Sequence, residues 1–187
     1  MLTHKGTQIL QTKRLLLRKI TMPDAQAMYD NWASDPEVTK YLTWPTHSNI
    51  EVTKTVIASW QDSYQNADHY QWAIVCRDTS TVIGTIAVVD LDENTEKAEV
   101  GYCIGKNWWN RGYTSEALGA VIHYLFTQVG FNRIQARHDP RNPHSGAVMR
   151  KCGMRYEGTL RQSDKNNQGV CDASYYGILR QEWANKH

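Results

Sequence analysis

The chain is expected to fold as one mixed α+β domain, a mostly antiparallel sheet of seven strands flanked by about four helices. Two observations lead there. Three short runs rich in β-branched and aromatic residues, "HYQWAIVCR", "TVIGTIAVVDL" and "KAEVGYCIG", are separated by Asp, Ser and Asn turns, the spacing of an antiparallel meander. Segments with apolar residues at helical spacing lie on both sides of that meander and interleave with further strands, which calls for one or two parallel crossovers. The expected order is β-α-α-β-β-β-α-β-α-β-β. At 187 residues, with no linker, repeat or low-complexity tract, residues 1–187 read as a single domain.

Each element has a local cause. Alternation from Arg14 to Ile20 marks the opening strand. Met22-Pro23-Asp24 starts a helix with proline in its first turn, and Ala25, Met28, Tyr29 and Trp32 form its apolar face until Asp35-Pro36 interrupts it. Ser48 and Glu51 have capping-box spacing, announcing a second helix through Ile50, Thr53, Ile57, Trp60 and Tyr64. After the meander, a long helix runs from about Gly112 to Gly130 with Leu118, Val121, Ile122, Leu125 and Val129 on one face, and Gly130 suits the position just past its end. "NRIQARHD" is a strand. Asn142-Pro143 reads as an N-cap followed by proline at the first helical position, so a short helix carries Ser145 to Lys151 and stops at Cys152-Gly153. "MRYEGTLRQ" and "VCDASYYGILR" are two last strands around a polar turn, Asp164 to Gly169.

Composition narrows the function. A 41% hydrophobic and 21% charged chain can bury a core, and a net charge of +2 argues against a generic nucleic-acid binder. Cys76, Cys103, Cys152 and Cys171 lack metal-ligand spacing, so no metal is expected. No leader or membrane-length apolar run appears, and reduced thiols fit a cytoplasmic location with no membrane partner. His123, within the long helix, and His138, at a strand end, read as structural or surface histidines.

The most informative stretch is "WWNRGYTSEA". A strand ends near Ile104 and a helix begins near Gly112. The first turn of a helix carries unpaired N–H groups and partial positive charge, so an anion fits there. Gly112 lets a ligand approach the backbone, Arg111 adds charge, Thr114 and Ser115 add hydroxyls, and Asn110 tolerates a left-handed backbone. The two common glycine-rich phosphate motifs are absent.

"AEVGYCIGKNWWNRGYTSEAL" resembles the acyl-CoA-binding segment of the GNAT N-acetyltransferases, and is most similar to the branch containing bacterial ribosomal-protein N-terminal acetyltransferases. That family carries Glu-x-Gly-Tyr on a strand, then Trp-Gly-Lys-Gly-Tyr-Ala-Thr-Glu-Ala opening a helix. "TKRLLLRKITMPDAQAMYD", "DPRNPHSGAVMRKCGMRYEGTLR" and "VCDASYYGILRQEW" resemble its opening, its Asn-x-x-Ser helix with the strand after it, and its final strand, so the likeness spans nearly the whole chain. Asn110 stands where glycine is usual, Thr114 where alanine is usual, and Met154 where phenylalanine is usual.

The resemblance implies a splayed sheet and acetyl-CoA as cosubstrate, held by Tyr102, Cys103, Ile104, Trp109, Asn110, Arg111, Gly112, Tyr113, Thr114, Ser115, Asn142 and Ser145. Arg150 and Lys151 are further candidates for the nucleotide phosphate. The nucleophile is a primary amine, from a protein N-terminus or a small molecule. It must be neutral, which is easier for an α-amine near pKa ~8 than for an ammonium near ~10. Glu99 is the candidate base and a main-chain N–H near Tyr102 or Cys103 the candidate oxyanion donor. The tyrosine that many relatives use beside the leaving sulfur is replaced by Met149, leaving Ser145 as the nearest hydroxyl. Cys103 and Cys152 lack motif partners for a covalent acyl-enzyme, so transfer is direct.

The acceptor is expected on the side built by the first helices and last strands, near Tyr41, Trp44, Pro45, His47, Asp172 and Tyr175. A non-catalytic acyl-CoA sensor and a surface-aromatic interaction or RNA module are the rival readings. Glu99 with the Asn-x-x-Ser stretch favours the enzyme over the sensor, and low net charge disfavours the RNA module. A monomer or a homodimer is equally consistent with the sequence.

Overall fold

A computed structural model of the chain describes residues 1–186. Its strands are β1 (Leu10–Gln11), β2 (Leu15–Arg18), β3 (Gln71–Cys76), β4 (Thr81–Asp92), β5 (Lys97–Ile104), β6 (Arg133–His138), β7 (Arg155–Asn166) and β8 (Gly169–Leu179). Its α-helices are α1 (Ala25–Met28), α2 (Pro36–Thr39), α3 (Ile50–Ser63), α4 (Tyr113–Tyr124), α5 (Pro143–Lys151) and α6 (Arg180–Ala184). The strands form one sheet in the order β1-β2-β3-β4-β5-β6-β8-β7. Every pairing is antiparallel except β5 with β6.

Among the described residues the sheet has eight strands rather than seven, and there are six α-helices rather than about four. The additions are small. Two-residue β1 pairs with β2 at Leu10↔Leu17, and α6 follows the last strand. The opening strand is shorter than Arg14 to Ile20. The first helix is not continuous: a 3-10 turn at Met22–Asp24, α1 and a wide π turn at Tyr29–Ala33 share its apolar face, and α2 begins at the expected Asp35-Pro36 interruption. Asn49 caps α3, accepting from the Glu51 and Val52 N–H groups at 3.0 and 3.3 Å, so the capping residue lies one position later than Ser48. α4 gives way to a π turn at Leu125–Val129, and Gly130 ends it with φ +98°.

Both faces of the sheet are covered, which is why β3 is buried at every position. Leu15, Leu17, Trp72, Ile74, Ile86, Val100 and Ile104 face α4, meeting Leu118, Val121 and Ile122. Ala73, Val75, Val82 and Cys103 face the other way, against Met28, Trp32 and Ile57. Strand β5 approaches β4 closely. A Cβ on Gly84 would overlap the Cys103 carbonyl and sit 2.9 Å from the Ile104 Cα, both backbone atoms that cannot yield.

The β7–β8 hairpin reaches back to the loop before α5. The buried Asp139 carboxylate accepts from the Arg141 guanidinium at 2.6 Å and from Asn166 Nδ2 at 2.8 Å. Chiefly because of Arg141, its pKa is depressed to about 2. With the folded value below the unfolded ~3.9, the stability this carboxylate contributes is complete above that pH and drains away as pH falls toward about 2. Asp139→Asn should therefore lower the denaturant midpoint at pH 7 and flatten its dependence between pH 5 and 3, as followed by tryptophan fluorescence. A parallel pH profile for the two proteins would remove Asp139 from this role.

Candidate active site

The site begins where a strand pair stops. β5 and β6 run in parallel register for only Lys97↔Arg133, Ala98↔Ile134 and Glu99↔Gln135. Beyond that, β5 continues along β4 to Ile104, while β6 continues along β8 to His138. The two diverge into a fork, and residues 100–104 keep one edge without a strand neighbour.

Alternation decides what that edge presents. Gly105 N–H donates to the Ile83 carbonyl on β4, and the Cys103 carbonyl packs against Gly84 on the same strand. Main-chain groups on a strand point alternately to either side, so the Tyr102 and Ile104 N–H groups face the fork and that of Cys103 faces β4. Of the two main-chain donors expected near this point, Tyr102 is the one aimed into the gap. The Ile104 carbonyl, also turned away from β4, accepts from the Trp109 indole at 2.9 Å and pins the following turn.

A cavity of about 380 Å³ fills the fork. Among the expected residues, Tyr102, Cys103, Ile104, Trp109, Asn110, Gly112, Thr114, Ser115, Asn142 and Ser145 line it. Arg111 and Tyr113 do not. The Arg111 carbonyl accepts from Arg14 Nη1 at 2.9 Å, and the Tyr113 ring lies 4.4 Å beneath the same guanidinium. Asn110 (φ +59°) and Gly112 (φ +77°) are both left-handed, and this pair of turns aims the first N–H groups of α4 at the cavity. The first intrahelical bond, from Glu116 N–H to the Gly112 carbonyl, leaves the N–H groups of residues 113–115 outside the helix ladder.

Electrostatics at this end favour an anion. The Glu116 carboxylate is consumed by Arg14 Nε at 2.7 Å, the Arg14 N–H at 2.9 Å and the Thr12 hydroxyl at 2.6 Å. It does not cancel the helix dipole unopposed. Arg14 Nη2 and Lys151 Nζ both come within 3.5 Å of the position a Gly112 Cβ would take, so two cations converge on the open side of that glycine. Arg14 was not legible as a site residue, because it lies ninety-seven positions before Arg111 in an ordinary strand run. His144, Val38 and Leu42 also line the cavity and likewise carried no motif. Arg150 points elsewhere, to the Tyr176 hydroxyl at 2.9 Å.

Asn142 precedes α5, but its side chain makes no capping bond to that helix. This corrects the expected N-cap. The amide is left on the cavity wall. Cys103 and Cys152 are held as thiols: burial pushes the first up to about 12 and the second up to about 11. Neither has the thiolate character of a nucleophile.

Glu99 does not line the cavity. It lies at the base of the fork, buried, on the strand face shared with Cys103 and opposite Tyr102. Its carboxylate accepts from the Arg137 guanidinium and, at 2.7 Å, from Gln135 Nε2. Arg137 is shared with Asp164 at 2.7 Å. Each Glu99 oxygen has one protein donor and retains acceptor capacity. Of the expected acceptor-side residues, Tyr41, Trp44, Asp172 and Tyr175 also lie outside the cavity walls. Asp172 accepts from the Gln162 N–H at 2.9 Å, and Tyr175 sits opposite Arg137 on β8. The loop from Tyr41 to Trp44 is gripped by Asn167 at the β7–β8 turn, whose amide donates to the Thr39 and Trp44 carbonyls at 2.8 Å each. Among the described residues, no group of His, Cys, Asp and Glu could hold a metal ion, and no helix is long and apolar enough to cross a membrane.

The family model described as an acetyltransferase (GNAT) domain matches residues 14–155. The uncharacterized N-acetyltransferase YoaA of Bacillus subtilis is 36% identical over 172 residues, covering 92% of this chain and 97% of its own. The uncharacterized N-acetyltransferase p20 of Bacillus licheniformis is 33% identical over 177 residues, covering 95% and 99%. A solved GNAT-family acetyltransferase from Bacillus anthracis superposes with a TM-score of 0.82 at 27% identity, covering 94% of this chain and all of that one. With a forked sheet, an anion-ready helix start in the fork, and a family match over most of its length, this chain belongs to the GNAT acetyltransferase family.

Proposed function

We propose that the protein is an acetyl-CoA-dependent N-acetyltransferase in which a primary amine attacks the thioester directly. The carrying observation is the cavity itself, which joins the unpaired N–H groups at the start of α4 to the free edge of β5. A diphosphate suits the first, and an extended pantetheine arm suits the second, where it adds alongside the strand as a peptide would. Arg14 and Lys151 complement the phosphate charge.

In the reaction the amine forms a bond to the thioester carbon, and the carbonyl becomes an oxyanion. The Tyr102 N–H, facing the fork, is the donor for that charge. The C–S bond then breaks, the carbonyl re-forms, and coenzyme A leaves as the thiolate. The amine proton passes to Glu99 through water, since the carboxylate stands at the base of the fork on the face away from Tyr102. The acceptor thus enters from the α1–α3 side. A protein N-terminal α-amine is the acceptor class favoured here, because it deprotonates near ~8 rather than ~10. A relative in Escherichia coli, 25% identical over 157 residues, is a [ribosomal protein uS5]-alanine N-acetyltransferase, a protein α-amine acceptor of this kind. Thiol release measured across N-terminal peptides, amino acids, polyamines and aminoglycosides tests the reading; coenzyme A binding without release from any of them would favour a non-catalytic sensor.

Two variants probe the parts. Glu99→Gln should lower kcat by about 10²-fold or more while acetyl-CoA affinity by calorimetry changes little; unchanged turnover would exclude Glu99 as the base. Gly112→Val forces a β-branched residue to φ +77°. The nearest atoms to its Cβ are flexible side-chain tips, so backbone strain of about 1–2 kcal/mol and a blocked ligand approach set its effect. Coenzyme A should bind about tenfold more weakly or worse, and wild-type affinity would count against the phosphate loop.

A further inference from the structure

α5 brings no phenol to the cavity. Met149, which stands where a tyrosine is common, is buried in the core. A phenol arrives from the opposite wall instead. Tyr102 on β5 donates its hydroxyl proton to the Ser145 carbonyl at 2.8 Å, and the Ser145 hydroxyl donates to the Tyr102 oxygen at 3.1 Å. The directions are forced: a phenol has one proton, and it is already given to the carbonyl. Ser145 is the only hydroxyl residue of α5, and it lines the cavity.

The same turn of α5 is held from behind. A Cβ on Gly146 would come within 2.6 Å of His138 Nε2 and 3.2 Å of the Tyr176 hydroxyl, so no side chain fits between α5 and β6. The turn is therefore seated against β6 and latched to β5 across the mouth of the fork. Burial raises the Tyr102 pKa, which keeps its proton in place.

We propose that Tyr102 is a positioning residue of the acetyl transfer, acting through Ser145. Resting on the proposed function, its phenol donates to the Ser145 carbonyl and so fixes the spacing between β5 and α5 that sets the Ser145 oxygen at the cavity wall. With its proton turned to Tyr102, Ser145 presents lone pairs to the cavity until the C–S bond breaks. The hydroxyl then turns to donate a hydrogen bond to the departing thiolate. Both protein protons stay on their own oxygens throughout, and the thiolate is later protonated by solvent.

The test is a double-mutant cycle with Tyr102→Phe, Ser145→Ala and the double variant, measured by thiol release with an acceptor that the wild type uses. Each single change should lower kcat about tenfold, the size of one modest hydrogen-bond loss, with KM for acetyl-CoA little changed. The double variant should be no slower than the slower single one, because two residues acting as a unit are not additive. Multiplying single effects, or a Tyr102→Phe enzyme with wild-type kcat, would overturn the role while leaving the acetyltransferase reading intact. A wild type that releases no thiol with any acceptor would overturn both.

Discussion

Everything at this site depends on the early end of one strand pairing. β5 and β6 share three registered pairs and then part. Had they stayed paired, the main chain of residues 100–104 would be satisfied within the sheet and closed to a ligand. Separation leaves those groups without strand partners, a cost that a native protein accepts where something else is meant to bind. What keeps the fork open is packing on both sides: β5 is pressed onto β4 at Gly84, and β6 is tied to β8 over Arg133↔Leu179 to His138↔Ser174. The ion pair of Arg137 with Glu99 spans the opening at its base, and Asp164 on β7 holds the same guanidinium from the other side.

The second constraint is the local backbone at Asn110 and Gly112. Two left-handed residues within three positions reverse the chain so that α4 starts facing the fork. Arg14 supports this turn twice, by donating to the Arg111 carbonyl and by neutralising Glu116. Without that neutralisation a carboxylate in the first turn would compete with the ligand for the same positive end of the helix. The two ends of the cavity are thus built by different means. One uses strained turns and charge, the other an unpaired strand edge with Tyr102 bridging to Ser145.

Much of this was legible in the sequence where the cause is local. The left-handed tolerance of Asn110, the helix stop at Gly130 and the glycine at the start of α4 follow from the residues themselves. The meander β3-β4-β5 follows from composition and turns. Features set by distant partners were not legible. The pairing of Glu99 with Arg137 needs the β5–β6 register, thirty-eight positions away, and Arg14 reaches the turn before α4 only through the fold. Asn142 misled for a different reason. Its position is that of an N-cap, but residue type and position do not decide whether the amide turns toward the helix or toward the cavity. The first helix, up to Asp35-Pro36, also read as one element because its apolar face is continuous, whereas hydrogen bonding divides it into a 3-10 turn, α1 and a π turn.

The most direct measurement is a crystal structure of the protein with coenzyme A. The account predicts diphosphate oxygens within hydrogen-bond distance of the main-chain N–H groups of residues 112–115, and the pantetheine arm beside residues 100–104 with its sulfur near Ser145. A nucleotide bound away from the start of α4, with the fork left free, would contradict it.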